Sequence, residues 1–259
     1  MYIDTHAHLY LEQFNEDIQE VLDKSKFSGV EKIFLPNINS ETIEAMNQLA
    51  TKYPSLCYPM IGLHPCYVKE NYKAELARVE NEVSSQTYYG IGETGIDLYW
   101  DVTYKKEQIE AFEFQIDLAK KHQLPIIIHS RECLDLTLDI IESNQDGTLS
   151  GIFHCFNGNI AQCKRAADMG FHMGLGGVVT FKKANLGDMV AYAPQEYLLL
   201  ETDSPYLSPT PHRGKRNESS YLPLVAMKIA EFRTEAVSEV RDYTTANAEK
   251  LFKIKASLV

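Results

Sequence analysis

Five of the eight histidines in this chain stand where a short apolar run ends. They are His6, His8, His64, His129 and His154. Two acidic residues, Glu93 and Asp203, follow apolar runs in the same way. Imidazole and carboxylate groups bind divalent metals, and β/α-barrel enzymes carry such groups at the C-terminal ends of successive strands. The spacing therefore predicts a catalytic metal site assembled from several strand ends.

The His6-Ala7-His8 step can supply two ligands to one metal. Side chains two residues apart on an extended strand point to the same face, so both imidazoles can approach one ion. The alternative is a polar pair at a strand end that binds no metal. Asp4 is a candidate supporting residue, because ligand histidines usually donate their second ring N–H to a carboxylate or a carbonyl.

Glu93 is a candidate for a ligand shared by two metals. A carboxylate has two oxygens and can bridge two cations, which an imidazole cannot do. The alternative is a surface acid in the glycine-rich segment 90–97, and Asp97 in that segment fits a structural role better. His129 and His154, on the two strands that would follow, favour a second metal next to Glu93.

Asp203 can bind the first metal and accept a proton from a bound water. Glu201, two residues earlier, is a lesser candidate for the same face. We assign His64 to the substrate, because the other histidines with Glu93 and Asp203 nearly fill two sites and catalytic metals need an open position. Asp203, Glu93 and His64 are therefore the expected catalytic groups.

Arg131, Arg213 and Lys215 suit the anionic oxygens of a substrate, because guanidinium offers two donors to a phosphate and ammonium offers a point charge. The alternative for Lys215 and for the adjacent Arg216 is a solvated loop charge. Other polar residues fit structural or packing roles: His122, His172, Cys66 and Cys155.

The elements that must position these groups are eight apolar runs separated by helical patterns. The runs are 1–5, 31–36, 57–62, 88–92, 125–128, 151–154, 171–175 and 197–201. Apolar stripes of helical period lie at 18–22, 104–121 and 225–232. Strand and helix alternate without a long linker, which favours a closed TIM (β/α)₈ barrel over an open doubly wound sheet. The prediction is one domain over 1–259, with phosphate binding favoured near loop 204–220.

Length and composition agree with that prediction. The chain has 259 residues, with 44% hydrophobic and 24% charged residues, which suits one soluble barrel of about 250 residues. No apolar run is long enough to span a bilayer, and five cysteines without an export signal favour a reducing cytoplasm. The net charge of −11 disfavours nucleic-acid binding over the whole surface, although bound cations can reverse the field inside a pocket.

Taken in order, the motifs resemble the TatD family of metal-dependent hydrolases, within the amidohydrolase-like barrels. The matching segments are Asp4–His8, Gly62–Pro65, Gly92–Gly95, His129–Glu132, His154–Phe156, Glu201–Tyr206 and Pro211–Glu218. Three departures lie at the expected pocket rim: Ser219 replaces a usual proline, Asn157-Gly158-Asn159 replaces Ser-Gly-Ser, and Thr94 replaces a bulkier apolar residue. These departures bear on substrate preference rather than on the ligands.

The resemblance implies a TIM barrel with two divalent metals and a phosphodiesterase activity on DNA, often as a 3′-to-5′ exonuclease. Carried over by position, one metal would bind His6, His8, Glu93 and Asp203. The other would bind Glu93, His129 and His154, so that Glu93 bridges. Mg²⁺ is the expected metal in function, and three histidines also suit Zn²⁺ or Mn²⁺.

The expected partner is DNA as substrate, with RNA as a second candidate, and neither a membrane nor an obligatory protein partner is expected. Two alternatives remain open. One is a metal-dependent deacylase or amidohydrolase that acts on an ester or amide such as D-aminoacyl-tRNA. The other is a metal-binding protein without catalysis. The absence of a lysine at the fourth strand end, where Glu93 stands, disfavours the carbamylated-lysine type of amidohydrolase.

Overall fold

The computed structural model describes residues 1–254, in which eight short strands alternate with helices. The strands are β1 (Tyr2–Asp4), β2 (Val30–Pro36), β3 (Cys57–Met60), β4 (Ile91–Asp97), β5 (Ile126–Arg131), β6 (Gly151–Phe153), β7 (His172–Leu175) and β8 (Leu198–Leu200). The helices are α1 (Ile18–Phe27), α2 (Ile43–Lys52), α3 (Tyr72–Ser85), α4 (Lys105–His122), α5 (Leu134–Asn144), α6 (Ile160–Asp168), α7 (Gly187–Tyr192), α8 (Leu222–Arg233) and α9 (Val237–Leu251). Among the described residues, no helix is long and apolar enough to cross a bilayer.

All strand pairs are parallel, and the strands follow one another in chain order. Strands β1 to β3 form one sheet and β4 to β8 form another. Parallel bridges between Ile61 and Ile91 and between Ala7 and Ser204 join the two sheets at both edges. The amide of Thr5 also donates to the carbonyl of Leu200 at 3.0 Å. The closed ring with outer helices confirms the predicted TIM barrel.

Burial explains why apolar runs form the strands. The strand segment 126–128 is fully buried, as expected for a strand covered on both faces. Helix α4 packs a stripe onto the strands through Phe112, Ile116 and Ala119, as its period predicts. At the N-terminal end of the barrel, the ring of Phe252 stacks on Phe34 with centroids 3.7 Å apart. This contact follows α9, a helix that the sequence patterns did not indicate.

The strand bounds differ most at β4 and β5. The run at 88–92 predicted a strand that ends before Glu93, but β4 begins at Ile91 and continues to Asp97. Likewise β5 continues past His129 to Arg131. Most of the added residues are polar, and from Thr94 to Asp97 they pair in register with β5, with Gly95 opposite His129. Glu93 stands at a register shift between Ile91 and Thr94. The polar side chains are therefore held on strands, which fixes their direction more firmly than a loop would.

Candidate active site

The structure brings together every metal-binding residue that the sequence predicted. His6 and His8 follow β1, Glu93 and His129 lie within β4 and β5, and the other two follow β6 and β8. The complete set is His6, His8, Glu93, His129, His154 and Asp203, and His64 joins it after β3. Three overlapping groups of these side chains have ligand atoms within 4.8 Å of one another. All of them lie at the C-terminal end of the barrel.

One group surrounds the Oε2 atom of Glu93. The Nε2 atoms of His6 and His8 lie 3.1 and 3.4 Å from this oxygen. The two Nε2 atoms are only 3.2 Å from each other. The Oδ1 atom of Asp203 lies 3.5 Å from His8 Nε2 and 3.8 Å from His6 Nε2. Each of these two imidazole nitrogens thus lies within 3.8 Å of both carboxylate oxygens.

A second group surrounds the other oxygen of Glu93. His129 Nδ1 lies 2.9 Å from Glu93 Oε1, and His154 Nε2 lies 3.5 Å from it. His64 Nε2 is 3.3 Å from the same oxygen. Because the two oxygens face different imidazoles, Glu93 stands between the two groups.

These distances fit divalent cations. Ligands about 2.0–2.2 Å from one tetrahedral ion lie roughly 3.3–3.6 Å apart, and octahedral ligands lie somewhat closer. The Nε2 atoms of His6 and His8 lie 3.1 to 3.8 Å from Glu93 Oε2 and Asp203 Oδ1. The donor set fits divalent cations, but the groups differ from the predicted sets. Glu93 groups with His6 and His154 and also with His64 and His129, whereas Asp203 groups with His6 and His8.

Burial and charge set the protonation of the central acid. Burial alone would raise the pKa of Glu93, but the surrounding imidazoles hold this pKa well below its usual value. Burial lowers the pKa of His8 while Asp203 and Glu93 raise it, and the result is about 9. In the same way, Glu201 and Glu93 outweigh burial and raise the pKa of His154 to about 10. The site therefore favours positive charge, which is the condition that a bound cation satisfies.

Three imidazoles are oriented by hydrogen bonds on their far side. His154 Nδ1 lies 3.0 Å from Glu201 Oε1, and His129 Nε2 lies 2.9 Å from Asp97 Oδ2. The hydroxyl of Tyr10 donates to the carbonyl of Pro36 at 2.5 Å and lies 3.0 Å from His8 Nδ1. These contacts point the remaining ring nitrogens at the centre.

The expected role of Asp4 is wrong. Its carboxylate accepts from the hydroxyl and amide of Thr202 at 2.7 and 3.0 Å and from the amide of His6 at 3.3 Å. The buried Nδ1 of His6 has no hydrogen-bond partner among the described residues. Asp4 therefore fastens β1 to the segment after β8, because its position on the strand points the carboxylate between the two backbones.

Glycines allow the strands to approach at the site. A Cβ at Gly95, whose φ is +132°, would lie 2.1 Å from the carbonyl oxygen of His129. A Cβ at Gly62 would lie 2.6 Å from the backbone of Gly92. The glycines around Glu93 thus serve close packing of β3, β4 and β5.

The site opens into a cavity of about 610 Å³. Its wall includes four aromatic or basic side chains that stand above the imidazoles: Tyr67, Trp100, Arg131 and Tyr206. Neither Arg213 nor Lys215 is among the residues that line this cavity. Arg213 instead stacks on the ring of Phe181, with its Cζ 3.5 Å from the ring centroid.

The other residues that the sequence singled out lie partly at the cavity and partly away from it. Arg216 pairs with Asp17 at 2.6 Å and is a structural clamp rather than a free loop charge. His122 ends helix α4 and His172 begins β7, and neither lines the cavity. Cys66 and Cys155 do line it, and burial raises the pKa of both thiols, to about 12 for Cys66.

Sequence reasoning missed Tyr10 and the aromatic pair Tyr99-Trp100. Tyr10 stands two residues after His8, and this spacing was a usable signal for a contact with the imidazole. The aromatic pair directly follows β4, where side chains meet the cavity. Nothing in the sequence alone showed on which side of the strand end these rings lie.

Histidines and carboxylates gathered at the C-terminal ends of a parallel barrel define a metal-dependent hydrolase of the β/α-barrel class. The family model described as TatD related DNase matches residues 3–253, so the chain belongs to that family. Uncharacterized metal-dependent hydrolases are similar to it. YabD of Bacillus subtilis is 38% identical, over 98% of this chain and 100% of YabD. YcfH of Escherichia coli is 32% identical, over 98% of this chain and 97% of YcfH.

A solved structure agrees with this assignment. The crystal structure of YjjV, a TatD homolog from Escherichia coli, superposes on this chain with a TM-score of 0.92. The two sequences are 28% identical, and the match covers 98% of each chain.

Proposed function

We propose that this protein hydrolyses phosphodiester bonds of DNA from the 3′ end and uses two divalent cations. One observation carries the proposal: the two oxygens of Glu93 face two separate groups of imidazoles, at 3.1 and 2.9 Å. Pairs of metals joined in this way are common in enzymes that transfer or hydrolyse phosphate esters. RNA is a second candidate substrate.

In this proposal His6, His8, Glu93 and Asp203 hold one cation. The other cation is held by Glu93, His129 and His154. Mg²⁺ is the proposed ion in function, and the imidazoles also suit Zn²⁺ or Mn²⁺. Bound divalent cations supply Lewis acidity and lower the pKa of a water molecule.

Asp203 is the proposed proton acceptor. Burial raises the pKa of Asp203, but the hydrogen bond with His8 and the neighbouring imidazoles lower it below its usual value. The carboxylate is therefore ionised at neutral pH and can accept a proton from the attacking water. The water oxygen forms a bond to phosphorus, the bond from phosphorus to the 3′ oxygen breaks, and that oxygen takes up a proton. The products are a 5′-mononucleotide and a shortened strand with a 3′ hydroxyl.

We assign His64 to the substrate rather than to a metal, although it also lies in a group with Glu93 and His129 that could hold an ion. The amide of Cys66 donates to His64 Nδ1 at 3.1 Å, so this nitrogen is an acceptor and Nε2 carries the hydrogen. A protonated Nε2 cannot ligate a cation, but it can donate to a non-bridging phosphate oxygen. Arg131 lines the same cavity and can donate to a second oxygen.

Arg213 and Lys215 are proposed to contact phosphates farther along the strand. Both side chains are exposed on loop 204–220, beyond the residues that line the cavity. Their expected contribution is smaller than that of Arg131, because solvent screens exposed charges.

The test compares one protein sample on two classes of substrate. Metal-free protein is reloaded with Mg²⁺, Mn²⁺ or Zn²⁺ and assayed on single strands labelled at the 3′ or the 5′ end. Stepwise release of mononucleotides from the 3′ end supports the proposal. Turnover of a D-aminoacyl-tRNA ester without cleavage of any phosphodiester would replace it by a deacylase activity. Metal binding without turnover of either would leave a binding protein.

A further inference from the structure

Two aromatic side chains stand exposed at the edge of the active-site cavity. Tyr99 is 53% exposed and Trp100 is 69% exposed, and they stand two and three residues after the end of β4. Trp100 lines the cavity together with the imidazoles of His129 and His154. Leaving a large apolar surface in water is unfavourable, so an exposed tryptophan beside the active site points to a ligand that covers it.

Arg131 packs against these rings and has no acidic partner among the described residues. Its Cζ atom lies 3.8 Å from the centroid of Tyr99 and 5.2 Å from that of Trp100. Among the described residues no carboxylate pairs with Arg131. Five other arginines do have a carboxylate partner: Arg78, Arg165, Arg216, Arg233 and Arg241. In a chain of net charge −11, an unpaired guanidinium inside the cavity is available for an anionic ligand.

The aromatic pair is held in place through the active site itself. The carboxylate of Asp97 accepts from the amides of Tyr99 and Trp100 at 2.9 and 3.3 Å. Its other oxygen lies 2.9 Å from His129 Nε2. A second contact, between Lys69 and Asp101 at 3.3 Å, holds the same loop. The backbone that carries the two rings is therefore tied through Asp97 to His129 rather than lying on a free loop.

We propose that Tyr99, Trp100 and Arg131 form a subsite for the nucleobase next to the cleaved phosphate. The base stacks on the exposed face of Trp100, while Arg131, supported by the ring of Tyr99, binds a phosphate oxygen. Stacking tolerates every base because every base has an aromatic face, so the ligand class is a nucleotide of any base. The subsite rests on the proposed function, since it assigns the orientation of the substrate in that cavity.

Trp100 is the single tryptophan of the chain, so its fluorescence reports binding at the subsite directly. The Mg²⁺-loaded protein is titrated with an oligonucleotide that carries phosphorothioate linkages at its 3′ end to slow cleavage. A matched oligonucleotide lacks the terminal base but keeps its sugar and phosphate. We expect quenching with the first strand and little quenching with the second.

Variants measure how much the stacking contact adds to affinity. Their Kd is measured by the anisotropy of a dye-labelled oligonucleotide, because replacement of Trp100 removes the tryptophan signal. Trp100→Ala should raise the Kd of the oligonucleotide by about 5- to 150-fold, the range for loss of one base stacked on an aromatic ring. Trp100→Phe should keep most of the affinity. Tyr192→Ala is the matched control, because Tyr192 is 46% exposed at the end of α7 and does not line the cavity. It should bind like the unmodified protein.

The outcomes separate the subsite from the proposed function. If the protein cleaves DNA but removal of the terminal base leaves quenching and Kd unchanged, and Trp100→Ala leaves Kd unchanged, the subsite is overturned and the function stands. If DNA is not cleaved but base-dependent quenching occurs, the subsite stands and the nuclease activity is overturned. Quenching by the strand that lacks the base, equal to that by the intact strand, also overturns the subsite.

Discussion

At the scale of single residues, Glu93 has the most constrained environment. Its side chain is almost completely buried, and each of its oxygens faces different imidazoles. We expect Glu93→Ala to lose both metals, whereas His6→Ala should lose mainly one, because only Glu93 contacts both groups. Elemental analysis after dialysis measures the stoichiometry. Two metals retained at full occupancy in the Glu93 variant would disprove the bridging role.

Glu201 acts through His154 rather than on the substrate. Its Oε1 accepts from the amide of Cys155 at 2.6 Å and lies 3.0 Å from His154 Nδ1. Glu201→Gln should weaken metal binding by about 10- to 100-fold, as loss of such an orienting partner usually does. Glu142→Gln, which alters an exposed partner of Arg165, is the control. Competition with a chelator measures both affinities, and equal values would contradict the orienting role.

His172 makes stability depend on pH without entering the active site. Burial lowers the pKa of His172 to about 4, so the unfolded chain binds a proton in a pH range where the folded chain does not. Stability is therefore complete above about pH 6.5 and falls as pH decreases toward 4. Between pH 7 and pH 4.5 the unmodified protein should lose about 1–3 kcal/mol more than His172→Gln. Denaturant titrations at both pH values measure this.

The same His172→Gln variant should keep normal metal content and turnover at pH 7. An identical pH dependence in the two proteins would show that His172 is not held neutral. A loss of turnover in a folded, metal-loaded variant would show that the residue has a role in the site.

At the scale of elements, the contact between β4 and β5 depends on Gly95. Gly95→Ala should destabilise the protein by more than about 4 kcal/mol, because its Cβ would meet the backbone of His129 at 2.1 Å. Gly147→Ala is the matched control, since Gly147 also has a positive φ of +86° but open space around it. It should cost only about 1–2 kcal/mol. Thermal unfolding compares them, and equal losses would exclude the steric cause.

The sequence predicted which strands and helices form better than it predicted the residues at which they end, and β4 shows why. Apolar runs identify buried strands, but Glu93 and Asp97 are polar residues that remain on β4 because imidazoles satisfy them. Such partners come from other strands and leave no local pattern. The clustering of the proposed metal-binding residues was predictable because each follows or continues a strand. Arg213 was not, because loop sequence does not determine which way a side chain points.

At the scale of the whole molecule, the net charge of −11 should keep DNA binding local. Arg131 is the one arginine or lysine among the described residues that line the cavity. We expect the logarithm of kcat/KM to fall with the logarithm of salt concentration with a slope of only about −1 to −2, since few phosphates are engaged. Kinetics at several salt concentrations test this, and a slope of −5 or steeper would contradict it.

Arg131→Ala should lower kcat/KM by about 10- to 100-fold, because a charged hydrogen bond to the phosphate is lost. The salt slope should become shallower by about 0.7. Arg213→Ala should have a smaller effect. Lys52→Ala is the control, because Lys52 ends helix α2 and so lies toward the opposite end of the barrel. If Lys52→Ala changed the slope as much as Arg131→Ala, the charge effect would be general rather than local.

The barrel closes where its first strand meets its last, so the site is completed late in synthesis. The hydroxyl of Thr5 bonds to the carbonyl of Leu200 across 195 residues, beside the place where His6 and Asp203 meet. A ribosome adds about 5–20 residues per second, so the first two histidines wait roughly 10–40 s for their last partner. A nascent chain can hold His6 and His8 but cannot complete the proposed hydrolytic centre. Activity of the proposed centre therefore begins only after synthesis has passed Asp203.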